Sequence, residues 1–392
     1  MKLLFLTSLL PENEATSGYE IANRALLHGL RALAHEVVAI GFTNPGKSAE
    51  ISAGSVNLDE LSISNADADV RQKLIWLKRA VQNNTTFAGA KLQVMTNQAL
   101  AAIIERLGDF DGVIVNAAPM AAAFEKILTA KPFIYIAHNV EWRAAAESAK
   151  AAQSVFERFL FIREAKMLKM LEMRLAAKAS HVFTLASNDG TEFLEMGAKS
   201  VSAVPLIVQL NPEKPVVRAP KWDAGLIGTW SWAPNRIGLD WFLNEVTPHL
   251  PDDFTFAIAG KLPNAPVLKH LGATILGRVT SALNFTRDCS CLPLVSRAGS
   301  GVQLKTLEAF ELGLPSVATS SSVRGIASLP ANCTVQDDPE LFAKALVQAA
   351  KRGRTADIDG GLFHANQKEQ MLKALDQGLA AFKAPPNVLA AE

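Results

Sequence analysis

Cysteine is scarce in this chain: Cys289, Cys291 and Cys333 are the three among 392 residues. Their C-x-C pair has neither a second pair nor a histidine cluster to complete a zinc site, which leaves reduced, structural thiols in the cytosol as the expectation. An excess of charge of one sign is missing too. A formal net charge of +1 is not the basic surplus of a surface built for nucleic acid, so no nucleic-acid partner is expected and any anion site must be local. No run reaches the ~20 consecutive apolar residues that cross a bilayer. The opening MKLLFLTSLLPENE has one Lys, a short apolar run, then Pro and acids without a small-residue cleavage site, and it reads as a first strand and not a signal peptide. Low-complexity blocks and short-period repeats are absent. What is present is an ordinary globular composition, 49% hydrophobic and 20% charged, at a length for which two domains are the natural expectation.

The hydrophobic pattern supports that division. Lys2 to Thr7 is an uninterrupted apolar run; Ala22, Leu26, Leu30 and Leu33 then repeat at helical spacing before a second run, Val37 to Phe42. Continuous apolar strands beside amphipathic helices indicate a parallel sheet covered on both faces. Gly112 to Val115, Pro132 to Ala137 and His181 to Leu185 continue the series. The stretch 205 to 222 holds four prolines and suits an interdomain linker. Beyond it, Ala224 to Thr229, Phe254 to Gly260, Ala273 to Gly277, Cys289 to Val295 and Pro315 to Thr319 read as strands of a second α/β domain, with helical patterns at 235 to 247 and 301 to 313.

Open α/β sheets bind ligands at the carboxyl ends of their strands, so the residues there carry the functional reading. After the first strand come Thr7, Ser8 and a Ser17-Gly18-Tyr19 helix start, where Gly18 lets an anion or sugar approach free N–H groups, unless it is an ordinary loop glycine. After PFIYIA the chain reads His138-Asn139-Val140-Glu141-Trp142-Arg143. His138 can donate to a sugar hydroxyl or position a phosphate; the competing reading is a His and Glu that satisfy local backbone groups. The richest stretch is 291 to 319. Arg297, Gly299 and Gly301 form a loop, a helix begins near Gly301, Lys305 can reach a phosphate, and Glu308 can take paired hydrogen bonds from vicinal ribose hydroxyls. An i, i+3 surface ion pair is the alternative for Lys305 and Glu308, but Val302, Leu304, Leu307 and Ala309 around them suggest a packed helix and favour function. Trp230 and Trp232 either wall a nucleotide site or are packing. Arg236, Arg278 and Arg324 are further loop cations. Asp252-Asp253 and Asp337-Asp338, the nearest metal-holding acid pairs, fall in surface turns, so no metal site is expected.

The segments IGTWSWAPNRIGLDWF, LGRV and LVSRAGSGVQLKTLEAFELGLPSVAT resemble the donor-binding domain of family 4 glycosyltransferases of the GT-B fold, and SGYEIANRALLHGLRALAHEV with AHNVEWR resembles its acceptor-side domain. The resemblance implies an α/β protein of two Rossmann-like parallel-sheet domains facing across a cleft, 1–205 on the acceptor side and 206–360 on the donor side, with a C-terminal helix, about 361–385, completing the first. It implies a retaining transfer, in polysaccharide biosynthesis, from a nucleotide-diphosphate sugar to a glycan, lipid-linked or small-molecule acceptor, without cofactor or required metal. Carried residue by residue, it gives Glu308 as the ribose carboxylate, Lys305 as a phosphate cation, Gly301 and Val302 as backbone donors, Gly18 as a phosphate-side loop glycine and His138 as the sugar-facing histidine. With the reading of the residues themselves, His138 and Lys305 are the catalytic candidates, Trp230 and Arg236 join the donor site, and Ser300 and Glu141 are candidate sugar contacts. Two departures stand out. Ser300 occupies the position of the first Glu of the family's Glu-x7-Glu signature, and Arg236 is the nearest match to its phosphate-clamp cations. A sugar-nucleotide epimerase of the same fold, with Glu141 as its acid/base group, and a non-catalytic nucleotide-sugar-binding protein are the alternatives. A cytoplasmic location is expected. The segment SVFERFLFIREAKMLKMLEMRLAAK, with Arg158, Arg163, Lys166, Lys169, Arg174 and Lys178, is compatible with peripheral contact with the inner membrane surface, or with a solvated basic face over a core stripe.

Overall fold

The structure, a computed structural model, describes residues 1–12, 17–48, 51–63, 68–152, 154–212, 219–262, 266–299, 301–355 and 358–383. The chain divides into two compact units, one of residues 1–206 with 369–392 and one of residues 207–368. Ser300 and the central part of the proline-rich stretch, 213–218, lie outside the described residues, as do 384 and 385 at the end of the last helical segment.

The first unit is built on seven strands: β1 (Lys2–Leu9), β2 (Glu36–Thr43), β3 (Ser55–Glu60), β4 (Gly112–Asn116), β5 (Phe133–Ala137), β6 (His181–Thr184) and β7 (Val201–Ala203), in the order β3-β2-β1-β4-β5-β6-β7. All pairings are parallel, with Leu3 opposite both Val37 and Gly112. β1, β4, β5 and β6 are buried nearly throughout, which is why they read as unbroken apolar runs. β3 and β7 do not; no residue of either is fully buried, so their sequences carry no such run. Order reverses between β1 and β4, and that is where an open parallel sheet leaves a crevice at its strand ends. The last helix, Gly361–Leu379, begins in the second unit and from Glu369 onward belongs to the first. There its Met371 and Leu375 pack on Gly29, and Gly378 lies so close to the ring of Phe183 that an added Cβ would sit 2.1 Å from it.

The second unit carries β8 (Trp222–Thr229), β9 (Phe256–Lys261), β10 (Ala273–Gly277), β11 (Cys289–Leu294), β12 (Ser316–Ala318) and β13 (Cys333–Val335), ordered β10-β9-β8-β11-β12-β13 and again parallel. One core, with Phe242, Phe256, Ile258 and Phe342, covers one face, and a second, with Ala257, Phe285, Phe310 and Leu314, covers the other. Cys289 and Cys291 are buried free thiols. The helix expected from Gly301 begins three residues later, at Leu304, with Gln303 as its N-cap residue. Gly299 and Gly301 both have positive φ, +97° and +73°, which a right-handed helix does not accept. Glu311, at the end of this helix, accepts hydrogen bonds from the backbone N–H groups of Val208 and Gln209, each at 2.7 Å, and so ties the start of the unit to the helix.

Candidate active site

In the first unit the crevice between β1 and β4 is lined by polar groups that interrupt otherwise apolar strands. The helix Gly18–Ala32 starts beside it, capped by Ser17, whose hydroxyl accepts from Glu20 N while the Glu20 carboxylate accepts from Ser17 N. This box occupies one of the N–H groups foreseen for a ligand; Gly18 itself is exposed. Tyr19 turns its hydroxyl to Thr7 and Ser8, 2.9 Å from each hydroxyl oxygen. Asn116, the last residue of β4, donates to Asn23 Oδ1 at 2.7 Å, and its own Oδ1 lies 2.9 Å from His138 Nε2. His138 also packs against the Tyr19 ring at 4.8 Å between centroids. Burial lowers its pKa from 6.5 to about 4, so the imidazole is neutral near physiological pH. His138 is therefore neither a solvated loop residue nor an ion-pair partner; it is a neutral ring held by an amide.

Glu141 opens the helix Glu141–Ala151, and its backbone N–H, like that of Trp142, is held by the buried carboxylate of Glu172 at 2.9 and 3.0 Å. Burial raises the pKa of Glu141, and it pushes that of Glu172 up to about 8. Arg143 is paired with Glu192.

In the second unit the ends of β8 and β11 and the start of the helix Leu304–Glu311 enclose a cavity of about 50 Å³, lined among others by Trp230, Asn235, Ser296, Gln303 and Lys305. Trp230 is core as well as wall, for it is 4% exposed and its Nε1 donates to Ala259 O at 2.7 Å. Trp232 is 52% exposed. Lys305 folds back over the sheet, its Nζ 5.4 Å from the Trp230 ring centre and against the backbone of Gly228. Burial lowers its pKa to about 8, while Glu308 opposes the shift. Glu308 is itself raised, first by burial and then by the neighbouring Glu311 carboxylate. The two do not form the alternative surface ion pair: among the described residues neither side chain has a hydrogen bond or a salt bridge.

The loop before the helix is braced by hydroxyls. Ser322 Oγ donates to Leu294 O and accepts from Ser296 N, and Thr306 Oγ1 donates to Ser322 O. Arg324 Nε donates to Gly301 O at 3.0 Å, so this arginine shapes the loop. The N–H groups of Gly301 and Val302 make no hydrogen bond among the described residues. Arg236 is bound to Asp240 one turn along its own helix, at 2.7 Å. Arg297 lies over the Trp241 ring at 4.8 Å.

The structure thus places Trp230 and Lys305 on one cavity, with Gly301 and Val302 in the loop before the Lys305 helix and Glu308 on that helix, and Gly18 and His138 on the other unit, with Ser300 outside the described residues. Tyr19, Asn23 and Asn116 carry the network around His138 and were not singled out as site residues from the sequence. Their signal was an Asn closing the apolar run of β4 and an Asn on the apolar face of a helix, polar groups where patterning asks for none.

Residues 223–352 match the model of the family described as glycosyl transferases group 1. No curated protein sequence matches the chain. Among solved structures, the chain is similar to sucrose-phosphate synthase from Thermosynechococcus elongatus, with a TM-score of 0.62 at 14% identity over 97% of this chain and 100% of the other. TarM gives a TM-score of 0.61 at 12% identity over 98% and 99%. HepE of Anabaena, solved in complex with UDP, gives 0.57 at 13% identity over 97% and 98%. These likenesses, with the two parallel sheets, establish the two-domain GT-B fold.

Proposed function

We propose that the chain, a glycosyltransferase that draws on a nucleotide-sugar donor, is a retaining enzyme of family 4 that transfers sugar to a saccharide or lipid-linked acceptor. The observation that carries the reading is the pair Lys305 and Glu308, two ionisable side chains one turn apart on the helix beside a cavity that Lys305 lines; burial disfavours the charge of each, and among the described residues neither side chain has a hydrogen bond or salt bridge. Desolvating charges and leaving them unpaired is costly unless a ligand completes them. A nucleoside diphosphate does so: its ribose hydroxyls donate to Glu308, and its phosphates take Lys305 together with the N–H groups of Gly301 and Val302. Solved with UDP, and in another structure with UDP and glucose, HepE is a neighbour consistent with such a ligand.

In the reaction the bond from the anomeric carbon to the β-phosphate oxygen breaks. The electron pair leaves with the nucleoside diphosphate, while an acceptor hydroxyl oxygen bonds to the anomeric carbon and gives up its proton to the departing phosphate oxygen. Charge builds on the leaving phosphate, where a fixed cation and preorganised N–H groups stabilise it. The Lys305 proton, loosely held at about 8 in the free protein, is held more firmly once the phosphates arrive. His138 is assigned to the sugar. Arg236, tied to Asp240, has an assisting part at most.

A contact with anionic lipid belongs to the same proposal. No described helix is long and apolar enough to cross a membrane. The helix Val155–Lys178 nevertheless leaves Val155, Phe156 and Phe159 exposed, at 88%, 64% and 65%, which suits shallow burial at a headgroup boundary. Its basic face is smaller than the sequence suggested. Arg163 donates to Ala80 O and Thr85 O, Arg174 is bidentate on Glu125, and Lys169 lies over Trp142, so Arg158, Lys166 and Lys178 remain to meet lipid.

Incubation with UDP-, GDP- and ADP-sugars and a set of saccharide and lipid-linked acceptors tests the function. Release of nucleoside diphosphate with a product of the donor's anomeric configuration, surviving EDTA, is expected. An isomerised donor, or binding without turnover, would overturn it.

A further inference from the structure

The hydrogen bonds around His138 fix more than its position. Leu9 O, a backbone carbonyl, can only accept, so the Asn23 side-chain atom 2.9 Å from it is the amide nitrogen. The other Asn23 atom is then the oxygen, and the Asn116 atom 2.7 Å from it must be a nitrogen. That leaves Asn116 Oδ1 facing His138 Nε2 at 2.9 Å, and an amide oxygen can only accept. Asn116 Nδ2 and Asn23 Nδ2 also both donate to Thr7 Oγ1, at 3.1 and 3.0 Å, which agrees with this assignment at each amide. The orientation of the whole chain of groups follows from one carbonyl of β1.

We propose that Asn23 and Asn116 are positioning residues that hold His138 as its Nε2–H tautomer, so that Nδ1 presents a lone pair to an O–H of the substrate. The second nitrogen of a histidine is set by the partner of the first. Among the described residues Nδ1 has no hydrogen bond, and it is not among the buried polar atoms left without one, so it reaches the surface of the crevice. The ring is buried enough to stay neutral. An imidazole in this state is an acceptor only. It takes a sugar hydroxyl and has no donor for an ether oxygen or a carbonyl at the same place, which gives the site a preference for a free hydroxyl. The inference rests on the assignment of His138 to the sugar, but its first half does not depend on any activity.

The test is nitrogen-15 NMR on histidine-labelled full-length protein, with His138 assigned by its loss in His138→Gln. In the resting protein Nε2 should show the shift of a protonated nitrogen and Nδ1 that of an unprotonated one; the reverse overturns the relay. Asn116→Ala should mix the tautomers and lower kcat about tenfold with little change in KM for the donor, as for the loss of one hydrogen bond. Asn116→Asp keeps an acceptor at Nε2; it should keep the tautomer, recover turnover relative to Asn116→Ala, and bring a histidine limb into the pH profile as the carboxylate raises the imidazole pKa. An unchanged tautomer in Asn116→Ala refutes the positioning role. UDP-glucose, UDP-N-acetylglucosamine and GDP-mannose are then added in turn. With whichever turns over, the Nδ1 signal should move to lower shift as it accepts a hydrogen bond, and a static signal during turnover refutes the contact. Absence of turnover with all three, with the resting tautomer as stated, counts against the enzymatic reading and leaves the relay standing on its own measurement.

Discussion

Lys305→Met separates the two effects of that side chain. Burial disfavours its charge and lowers its pKa from 10.5 to about 8, Glu308 opposing the shift, and among the described residues no salt bridge compensates it. At ~1.4 kcal/mol per pKa unit the gap sets an upper bound of ~3 kcal/mol on the cost to the fold. Glu308 would lose its nearest cation in the variant and rise further, which trims the gain to ~1–3 kcal/mol. The sign follows from linkage. The folded pKa lies below the unfolded one, so the cost is full at pH values below about 8 and is relieved between about 8 and 10.5. Methionine fills the same space over Trp230 without a charge. The variant should therefore melt higher than the wild type near neutral pH, by on the order of 5 °C, and the difference should shrink as the pH approaches 10.5. Turnover should move the other way, falling ~100-fold, in line with the ~3 kcal/mol lost when one contact to developing charge is removed. Scanning calorimetry over the alkaline range, beside a coupled assay of nucleoside diphosphate release, measures both. A variant that is less stable than the wild type near neutrality and keeps its turnover would refute the reasoning.

Glu308→Gln should keep the fold and weaken UDP binding ~10–100-fold, since hydrogen bonds to a charged group contribute ~1.5–3 kcal/mol; calorimetry showing unchanged affinity removes the carboxylate from the nucleotide. Because the pKa of Glu308 is raised, that affinity should also fall on acidification earlier than an ordinary carboxylate predicts. His138, at about 4 and not 6.5, should give kcat no limb near the usual histidine value; a limb there that disappears in His138→Gln would contradict the neutral ring. Replacing Phe156 and Phe159 together by Ser should reduce flotation with anionic vesicles and leave turnover on a soluble acceptor intact, and equal flotation of both proteins would dismiss the lipid contact.

The apolar strands and the Lys305–Glu308 helix were legible because burial on both faces writes itself as unbroken runs, and because a Gly-rich loop before a helix has a local chemical reason. β3, β7 and β13 were not, for none of their residues is fully buried and pairing with a neighbouring strand leaves no trace in residue order. The helix start at Leu304 was misplaced because two positive-φ glycines look like helix punctuation from either side. Composition and spacing by themselves determined the α/β class, the parallel sheets and which helix carries a cation and a carboxylate one turn apart. Only the tertiary structure decided that burial disfavours the charge of both and that among the described residues neither has a hydrogen bond or salt bridge, that Arg236 is tied to Asp240 and Arg324 to the loop, and that His138 sits on an amide chain from Leu9 through Asn23 and Asn116. The physical reason is that a charge's partner, its dielectric surroundings and a histidine's tautomer are set by groups up to about a hundred residues distant in sequence, such as Thr7 and Asn116 with |i−j| of 109, and only folding brings them within hydrogen-bond reach.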